Sequence, residues 1–85
     1  NYPNPFNPST IIRFDIQDRT LVNLVIYDVL GKRIKTLVNQ QLNAGGKTVD
    51  WDGYDESGKP VSAGVYLYRI TAGEYTETWK MLLLR

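Results

Sequence analysis

Short segments in which apolar and polar residues alternate, with turn-forming residues between them, limit the fold of this chain more than any other feature. In the segment Thr10 to Ile16, the apolar residues Ile12, Phe14 and Ile16 share one face. The segment Thr20 to Val29 also alternates and is rich in β-branched residues. A two-residue period predicts half-buried β-strands, and no segment has the period of an amphipathic helix. Further strands are predicted over Arg33 to Leu42, Thr48 to Trp51, Val65 to Ala72 and Tyr75 to Leu84.

The connections between these strands are rich in glycine. Asp28 to Lys32 and Asn43 to Lys47 each contain glycine among polar residues, and both segments predict turns. Gly73-Glu74 is expected to close a hairpin between the last two strands. The adjacent apolar residues Leu37-Val38 break the alternation of the third strand, which predicts a β-bulge or a bend.

Together these elements predict an all-β fold, an antiparallel β-sandwich of about seven strands of the immunoglobulin-like kind. The chain has 85 residues and no cysteine, so it is expected to form one domain that is not of the antibody type. The sandwich is expected over residues 10–85. Residues 1–9 hold three of the four prolines and form a proline-rich segment, which we expect to be extended and docked on the sandwich by Tyr2 and Phe6.

The stretch from Trp51 to Tyr68 predicts a structured loop between two strands. It begins on a large aromatic residue, passes through a polar segment with three glycines and one proline, and returns to an alternating apolar pattern. Aromatic side chains can bury a large area in a small sandwich, so Trp51, Tyr66, Tyr68 and Trp79 are expected to fill the core.

Exposed aromatic side chains allow a second interpretation, because such rings can stack on sugars. The candidates for a carbohydrate-binding site are Tyr27, Tyr54, Tyr75 and Trp79. No planar array of these rings can be recognised in the sequence, so the packing role is favoured.

The composition excludes several classes of function. Because the chain contains no histidine and no cysteine, it cannot assemble a Ser-His or Cys-His nucleophile, and the usual zinc ligands are missing. We therefore expect no enzymatic activity and no cofactor. The net charge of +1 gives no excess of positive charge of the kind that binds nucleic acid. No apolar run is long enough for a membrane span.

One acidic cluster could bind a hard cation. Asp50, Asp52 and Asp55, followed by Glu56, supply the oxygen ligands that Ca²⁺ prefers. Their spacing does not match the D-x-D-x-D-G calcium loop, however, and no distal glutamate closes the site. Aspartate in such loops more often accepts hydrogen bonds from nearby backbone amides, so calcium is a weak hypothesis here.

Four segments together resemble the C-terminal sorting domain (type A) of type IX secretion cargo, in a variant similar to the Ig-like domain of the flagellar hook-capping protein. They are Y-P-N-P-F-N-P-S-T at Tyr2 to Thr10, I-Y-D-V-L-G-K-R-I at Ile26 to Ile34, W-D-G-x-D-x-x-G-x-x-V-x-x-G-V-Y at Trp51 to Tyr66, and K-M-L-L-L-R at Lys80 to Arg85. The resemblance covers nearly the whole chain.

The resemblance implies a non-catalytic sorting signal at the C-terminus of a larger secreted protein from a bacterium of the Bacteroidetes or their relatives. The implied partners are an N-terminal cargo domain, the type IX outer-membrane translocon and a sortase-like protease that removes the domain and attaches the cargo to the cell surface. The cargo would cross the periplasm and become secreted or surface-bound. Whether and where cleavage occurs stays open.

The positions that match the family's signal motifs are Gly31, Lys32, Gly64, Val65, Tyr66, Lys80, Met81, Leu82, Leu83, Leu84 and Arg85. We expect the last hairpin, Val65 to Arg85, to present the signal while the other strands keep it folded. The alternatives are an Ig-like accessory or carbohydrate-binding module of an extracellular enzyme, and a module for hook-cap assembly. A dimer through exposed edge strands is also compatible with so small a sandwich.

Overall fold

A computed structural model describes residues 10–84 of the chain, and the fold within this range is all-β. The strands are β1 (Thr10–Ile16), β2 (Thr20–Asp28), β3 (Arg33–Leu42), β4 (Gly45–Trp51), β5 (Gly64–Ala72) and β6 (Tyr75–Leu83). The predicted strands are thus confirmed, with small differences at their ends. The described range contains six strands where about seven were expected, and it contains no helix that is long and apolar enough to cross a membrane.

The strands form two antiparallel sheets. One sheet has two strands in the order β1-β4, and the other has four strands in the order β3-β2-β5-β6. The strands of the immunoglobulin fold are lettered in chain order. Strands B and E belong to one sheet, and strands C′, C, F and G lie side by side in that order in the other. β1 and β4 therefore correspond to strands B and E, and the immunoglobulin-like prediction is confirmed.

The core lies between the two sheets, where the inward face of β2 is completely covered. Val22, Leu24 and Ile26 are all 0% exposed, as the alternation of this strand predicts. They pack with Ile12 of β1 and with Trp51 at the end of β4. Burying each such aliphatic side chain contributes about 1.5–3 kcal/mol, so this cluster is a main source of stability in a chain without disulfides.

Irregular pairing between β2 and β3 bends the edge of the larger sheet. Leu24 pairs with Val38 and Val25 pairs with Thr36, so Leu37 is an extra residue on β3. The predicted bulge at this position is confirmed. A second shift leaves Ile34 unpaired in the same way, and the alternation gave no sign of it.

The predicted turn over Asn43 to Lys47 is wrong in its second half. Gly45 and Gly46 belong to β4 and pair with Ile16 and Asp15 of β1. Adjacent glycines are typical of turns, but here the pairing partner extends the strand through them. The connection between β3 and β4 therefore contains only Asn43 and Ala44.

The expected core position of Trp79 is also wrong. Trp51 is 0% exposed and Tyr66 is buried, whereas Trp79 is 52% exposed and Tyr68 is half-buried. Trp79 lies on the face of β6 that points toward the smaller sheet, but in the described residues that sheet has only two strands and does not cover it. The expected docking of Tyr2 and Phe6 lies outside the described residues.

A candidate recognition surface and the loop beside it

The loop after β4 is built around the side chain of Trp51. Its indole Nε1–H donates a hydrogen bond of 3.0 Å to the carbonyl oxygen of Tyr54, which satisfies the polar atom of a fully buried ring. The ring meets Tyr66 edge-on, with 5.2 Å between the ring centroids and 72° between the planes. The Tyr66 hydroxyl in turn donates to the carbonyl oxygen of Ser62 at 2.6 Å. Both ends of the loop are therefore fixed to one aromatic pair.

Hydrogen bonds to Asp55 shape the tip of this loop. Its Oδ1 accepts bonds from the backbone N–H of Ser57 at 3.0 Å, from the N–H of Lys59 at 2.9 Å and from the Ser57 hydroxyl at 2.8 Å. The backbone bond from Lys59, followed by the Ser57 hydroxyl, holds the pKa of this carboxyl below its usual value. The interpretation of these aspartates as acceptors for backbone amides is confirmed, since Asp52 accepts from Tyr54 N–H in the same way.

The acidic cluster is not arranged as a metal site within the described residues. No group of three or more Asp or Glu side chains in residues 10–84 is placed to hold a metal ion together. Asp55 already uses its oxygen on the loop's own donors. Calcium binding through Asp50, Asp52 and Asp55 therefore stays an untested and weak hypothesis.

The charge of Asp55 should make the stability of the domain depend on pH. Because the pKa of Asp55 in the folded state lies below its ordinary value of 3.8, the ionised carboxylate stabilises the fold fully at pH values above that ordinary value. This contribution is lost as the pH falls through the lower, folded-state pKa. We expect Asp55→Ala to reduce the free energy of unfolding at pH 7, with the gap to the wild type shrinking below about pH 4. Urea denaturation at several pH values measures this, and a gap independent of pH would contradict it.

The same loop covers part of the β3 edge. The N–H of Glu56 donates to the carbonyl oxygen of Ile34 at 2.9 Å, and Glu56 Oε1 accepts from the N–H of Thr36 at 3.0 Å. An unpaired strand edge is a template for adding another strand, so this contact protects β3 from edge-to-edge association. It also places the loop beside the second bulge.

Most of the residues that match the signal motifs meet at one end of the four-stranded sheet. Gly64 of β5 pairs with Leu83 of β6, and Val65 pairs with Leu82. Asp28, the last residue of β2, pairs with Tyr66, so the β2–β3 turn that contains Gly31 and Lys32 lies at the same end. Segments that are distant in the sequence are therefore brought together by the pairing of β2, β5 and β6.

This end of the sheet is also where exposed apolar side chains concentrate. Five of the nine large apolar side chains that are exposed in residues 10–84 lie here, and we call them the end patch: Val29, Leu30, Val65, Leu82 and Leu84. Leu30 is 90% exposed at the tip of the β2–β3 turn. Val65 and Leu82 are cross-strand partners. A monomeric soluble domain rarely concentrates apolar residues in this way without a partner, so the end patch is a candidate recognition surface.

The turn that presents Leu30 is held by Asp28. Asp28 Oδ1 accepts bonds of 2.9 Å from the N–H groups of Leu30 and Lys32, and the N–H of Gly31 donates to the Asp28 carbonyl oxygen at 3.0 Å. Gly31 has a φ of 88°, a conformation that favours glycine. The signal-matching Gly31 therefore has a structural reason to be glycine. Val29 and Leu30 were not among the predicted site residues, although two apolar residues inside a predicted turn are an unusual sequence feature.

Three signal-matching residues point into the sandwich instead of toward solvent. Tyr66 and Leu83 are buried, and Met81 packs against the core. Lys80 and Leu82 are exposed on the opposite face of β6, while Arg85 lies outside the described residues. A partner that approaches the folded domain can touch Lys80, Leu82 and Leu84, whereas Tyr66 and Leu83 position them. Their recognition role stays a prediction.

The candidate sugar-binding aromatics do not form one surface. Tyr27 is covered by the guanidinium of Arg69, 5.2 Å from its ring centroid, on the outer face of the larger sheet. Tyr54 forms a bridge with Pro60 inside the loop. Only Tyr75 and Trp79 lie together, in a groove between β1 and β6. No planar array of all four rings exists.

The comparisons with known proteins agree with this architecture. The model of the FlgD Ig-like domain family matches residues 11–77. FlgD from Xanthomonas campestris, whose structure gives insights into the hook capping essential for flagellar assembly, is 26% identical with a TM-score of 0.70, over 91% of this chain and 56% of that chain. FlgD from P. aeruginosa is 20% identical with a TM-score of 0.71, over 95% of this chain and 63% of that chain.

The matches differ in what they show. The chain spans only about 60% of the length of the two solved chains, and none of the curated proteins searched matches it. The likeness to the P. aeruginosa protein shows the fold alone. The family match, in contrast, covers well over half of the chain and includes the loop from Trp51 to Tyr66. The chain belongs to the family of FlgD Ig-like domains.

Proposed function

We propose that this domain is a non-catalytic sorting signal that directs a larger protein through the type IX outer-membrane translocon. The observation that carries the proposal is the convergence of the signal-matching segments at one end of the larger sheet. Gly31, Lys32, Gly64, Val65 and the segment Lys80 to Leu84 are distant in sequence and neighbours in the fold.

Recognition in this proposal depends on shape and apolar contact. The end patch offers exposed apolar side chains from three segments, and burying apolar surface contributes about 25 cal/mol per Å². Lys80 adds a positive charge on the exposed face of β6. The rigid turn at Asp28 and the Trp51–Tyr66 pair keep these side chains in position, which limits the entropy lost when a partner binds.

The direct test is export of a fusion protein. Residues 1–85 are joined behind a fluorescent protein that is secreted into the periplasm of a host with a working type IX system. We expect fluorescence at the cell surface or in the medium, and retention in the periplasm of a strain without the translocon. A Trp51→Ala fusion, whose domain should be unfolded or close to unfolding, serves as the control for leakage. Periplasmic retention of the folded wild-type fusion in the competent host would reject the sorting role.

Hook-cap assembly is the second candidate function, and the family match together with the similarity to FlgD from Xanthomonas campestris favours it. In that case the end patch would contact a flagellar protein or another copy of the chain. Expression of the full protein in a FlgD-deficient flagellated strain separates the two candidates, since only a hook-cap module restores flagella. An accessory carbohydrate-binding role has weaker support, because Tyr27 and Tyr54 lie away from the Tyr75–Trp79 groove.

A further inference from the structure

Two adjoining cavities form one open groove between β1 and the inward face of the β5–β6 hairpin. Their volumes are about 440 Å³ and 510 Å³, and both are lined by Asp15, Ala72 and Tyr75. The groove lies toward the turn at Gly73-Glu74, at the end of the larger sheet opposite to the end patch. It is therefore separate from the surface that the proposed sorting role uses.

Three aromatic side chains of the hairpin line the first of these cavities. Trp79 pairs with Tyr68 across the two strands. Tyr75 lies four residues before Trp79 on the same face of β6, about 13 Å away along the strand. Tyr75 is 53% exposed and Trp79 is 52% exposed, although both belong to the inward face of the sheet. One wall of the groove thus offers two ring surfaces to a ligand.

Glu77 lies between the two exposed rings and holds one of them. Its carboxylate accepts a hydrogen bond from the Tyr75 hydroxyl, and this bond raises the pKa of Tyr75 above its usual value. Burial, followed by the charge of Glu77, also raises the pKa of Tyr68. Both phenols are therefore protonated at neutral pH. Because a carboxylate has about four acceptor positions, Glu77 can accept further hydrogen bonds from a ligand.

The charges around the groove are mainly negative. Among the described residues, the lining includes four carboxylates and two guanidinium groups, those of Asp15, Asp18, Glu74, Glu77, Arg13 and Arg19. Arg19 donates from Nη1 to Asn43 Oδ1 at 2.6 Å, so part of its guanidinium is already used. The groove thus offers several acceptors to hydroxyl groups and repels anionic ligands.

We propose that this groove binds a neutral glycan chain, with sugar rings stacked on Tyr75 and Trp79 and sugar hydroxyls donating to Glu77 and Asp15. The face of an aromatic ring is negative, so it attracts the polarised C–H groups on the face of a pyranose ring. Ligand sites typically combine such apolar surfaces with a few polar groups that fix the orientation. The groove continues past Tyr75 into the second cavity, which suits a chain of sugars better than a single one.

Tryptophan fluorescence of the full 85-residue chain tests this proposal, because Trp51 is buried and a change in emission reports on Trp79. The probes are cellohexaose, xylohexaose and mannohexaose as neutral chains, and hexagalacturonate as an anionic chain. We expect at least one neutral probe to shift the emission saturably, with a Kd below about 1 mM. Hexagalacturonate should bind at least about tenfold more weakly than that probe, because the carboxylates of the groove repel it.

Substitutions locate the bound probe. Tyr75→Ala and Trp79→Ala should each raise its Kd at least about tenfold in isothermal titration calorimetry, since aromatic anchors carry much of the energy of binding. Tyr75→Phe and Trp79→Phe keep a ring and should retain most of the affinity. Tyr27→Ala is the matched control, because this ring lies on the outer face of the same sheet, and it should bind as the wild type does. Circular dichroism verifies that each variant is folded.

Every result supports or overturns the glycan site. Absence of binding by all three neutral probes would overturn it, and so would binding that persists in both Tyr75→Ala and Trp79→Ala. Loss of binding in a folded Tyr27→Ala variant would place the glycan outside the groove. Equal affinities for hexagalacturonate and the neutral probe would contradict the role assigned to the carboxylates. Export of the fusion protein is measured independently, so the sorting role can fail while the glycan site stands, or the reverse.

Discussion

Replacing Trp51 with alanine is expected to unfold the domain or bring it close to unfolding. The ring is 0% exposed, packs edge-on against Tyr66, and satisfies the carbonyl oxygen of Tyr54. Removing a buried tryptophan costs about 3–5 kcal/mol, because apolar contacts are lost and a cavity remains. A domain of this length has a total stability of roughly 4–13 kcal/mol at ~0.05–0.15 kcal/mol per residue. The melting temperature should fall by roughly 15–30 °C.

The second tryptophan provides a matched control for this experiment. Trp79→Ala removes the same side chain from a position that is 52% exposed, and its cost should be at most about half of that of Trp51→Ala. Trp51→Phe should lie between the two, since it keeps an aromatic ring and loses the hydrogen bond to Tyr54. Thermal denaturation followed by far-UV circular dichroism measures all three. Equal losses for Trp51→Ala and Trp79→Ala would contradict the assigned role of Trp51.

Local patterns in the sequence were enough to predict the strands. Alternation determines which face of a strand is apolar, and Val22, Leu24 and Ile26 are fully buried as this rule requires. The bulge at Leu37 was predicted for the same reason, because an extra residue interrupts the period. Such features depend on a few neighbouring residues and can be recognised in one chain.

Features that depend on distant partners were not predictable in this way. Gly45 and Gly46 have the composition of a turn, and only their pairing with Ile16 and Asp15 makes them part of a strand. The alternation places Trp79 on the same face as Leu83, but whether that face is covered depends on how many strands the opposite sheet has. The alternation pattern determines toward which face of the sheet a side chain points, and the sheet topology determines whether that face is buried.

The same distinction applies to the candidate site. The resemblance pointed to Gly31, Lys32, Gly64 and Val65 one by one, but their meeting at one sheet end follows from the pairing of β2 with β5. That pairing joins residues that are 38 to 50 positions apart in the chain, from Asp28 with Tyr66 to Val22 with Ala72, and it has no local signal in the sequence. Leu30 was missed because a turn residue is normally judged by its backbone role, while its 90% exposure is a property of the fold.

Removing apolar surface from the end patch is expected to reduce export strongly while leaving the fold intact. Val65 and Leu82 are cross-strand partners, 41% and 57% exposed, so threonine at both positions keeps a residue suited to strands and deletes apolar atoms. Losing about three methyl or methylene groups, at ~0.8 kcal/mol each, weakens an apolar contact by ~2 kcal/mol, roughly thirtyfold. The secreted fraction of the fluorescent fusion should fall accordingly.

The matched control for the end patch removes similar surface elsewhere on the domain. Ile11→Thr with Leu21→Thr changes two side chains that are 51% and 53% exposed and lie outside the end patch. Both double variants should melt within a few degrees of the wild type, because exposed substitutions usually change stability by less than about 0.5 kcal/mol each. Export should fail only for Val65→Thr with Leu82→Thr. If both variants are exported equally well, the translocon does not bind the end patch. If export fails for both, the translocon recognises exposed apolar surface in general and not this end of the sheet.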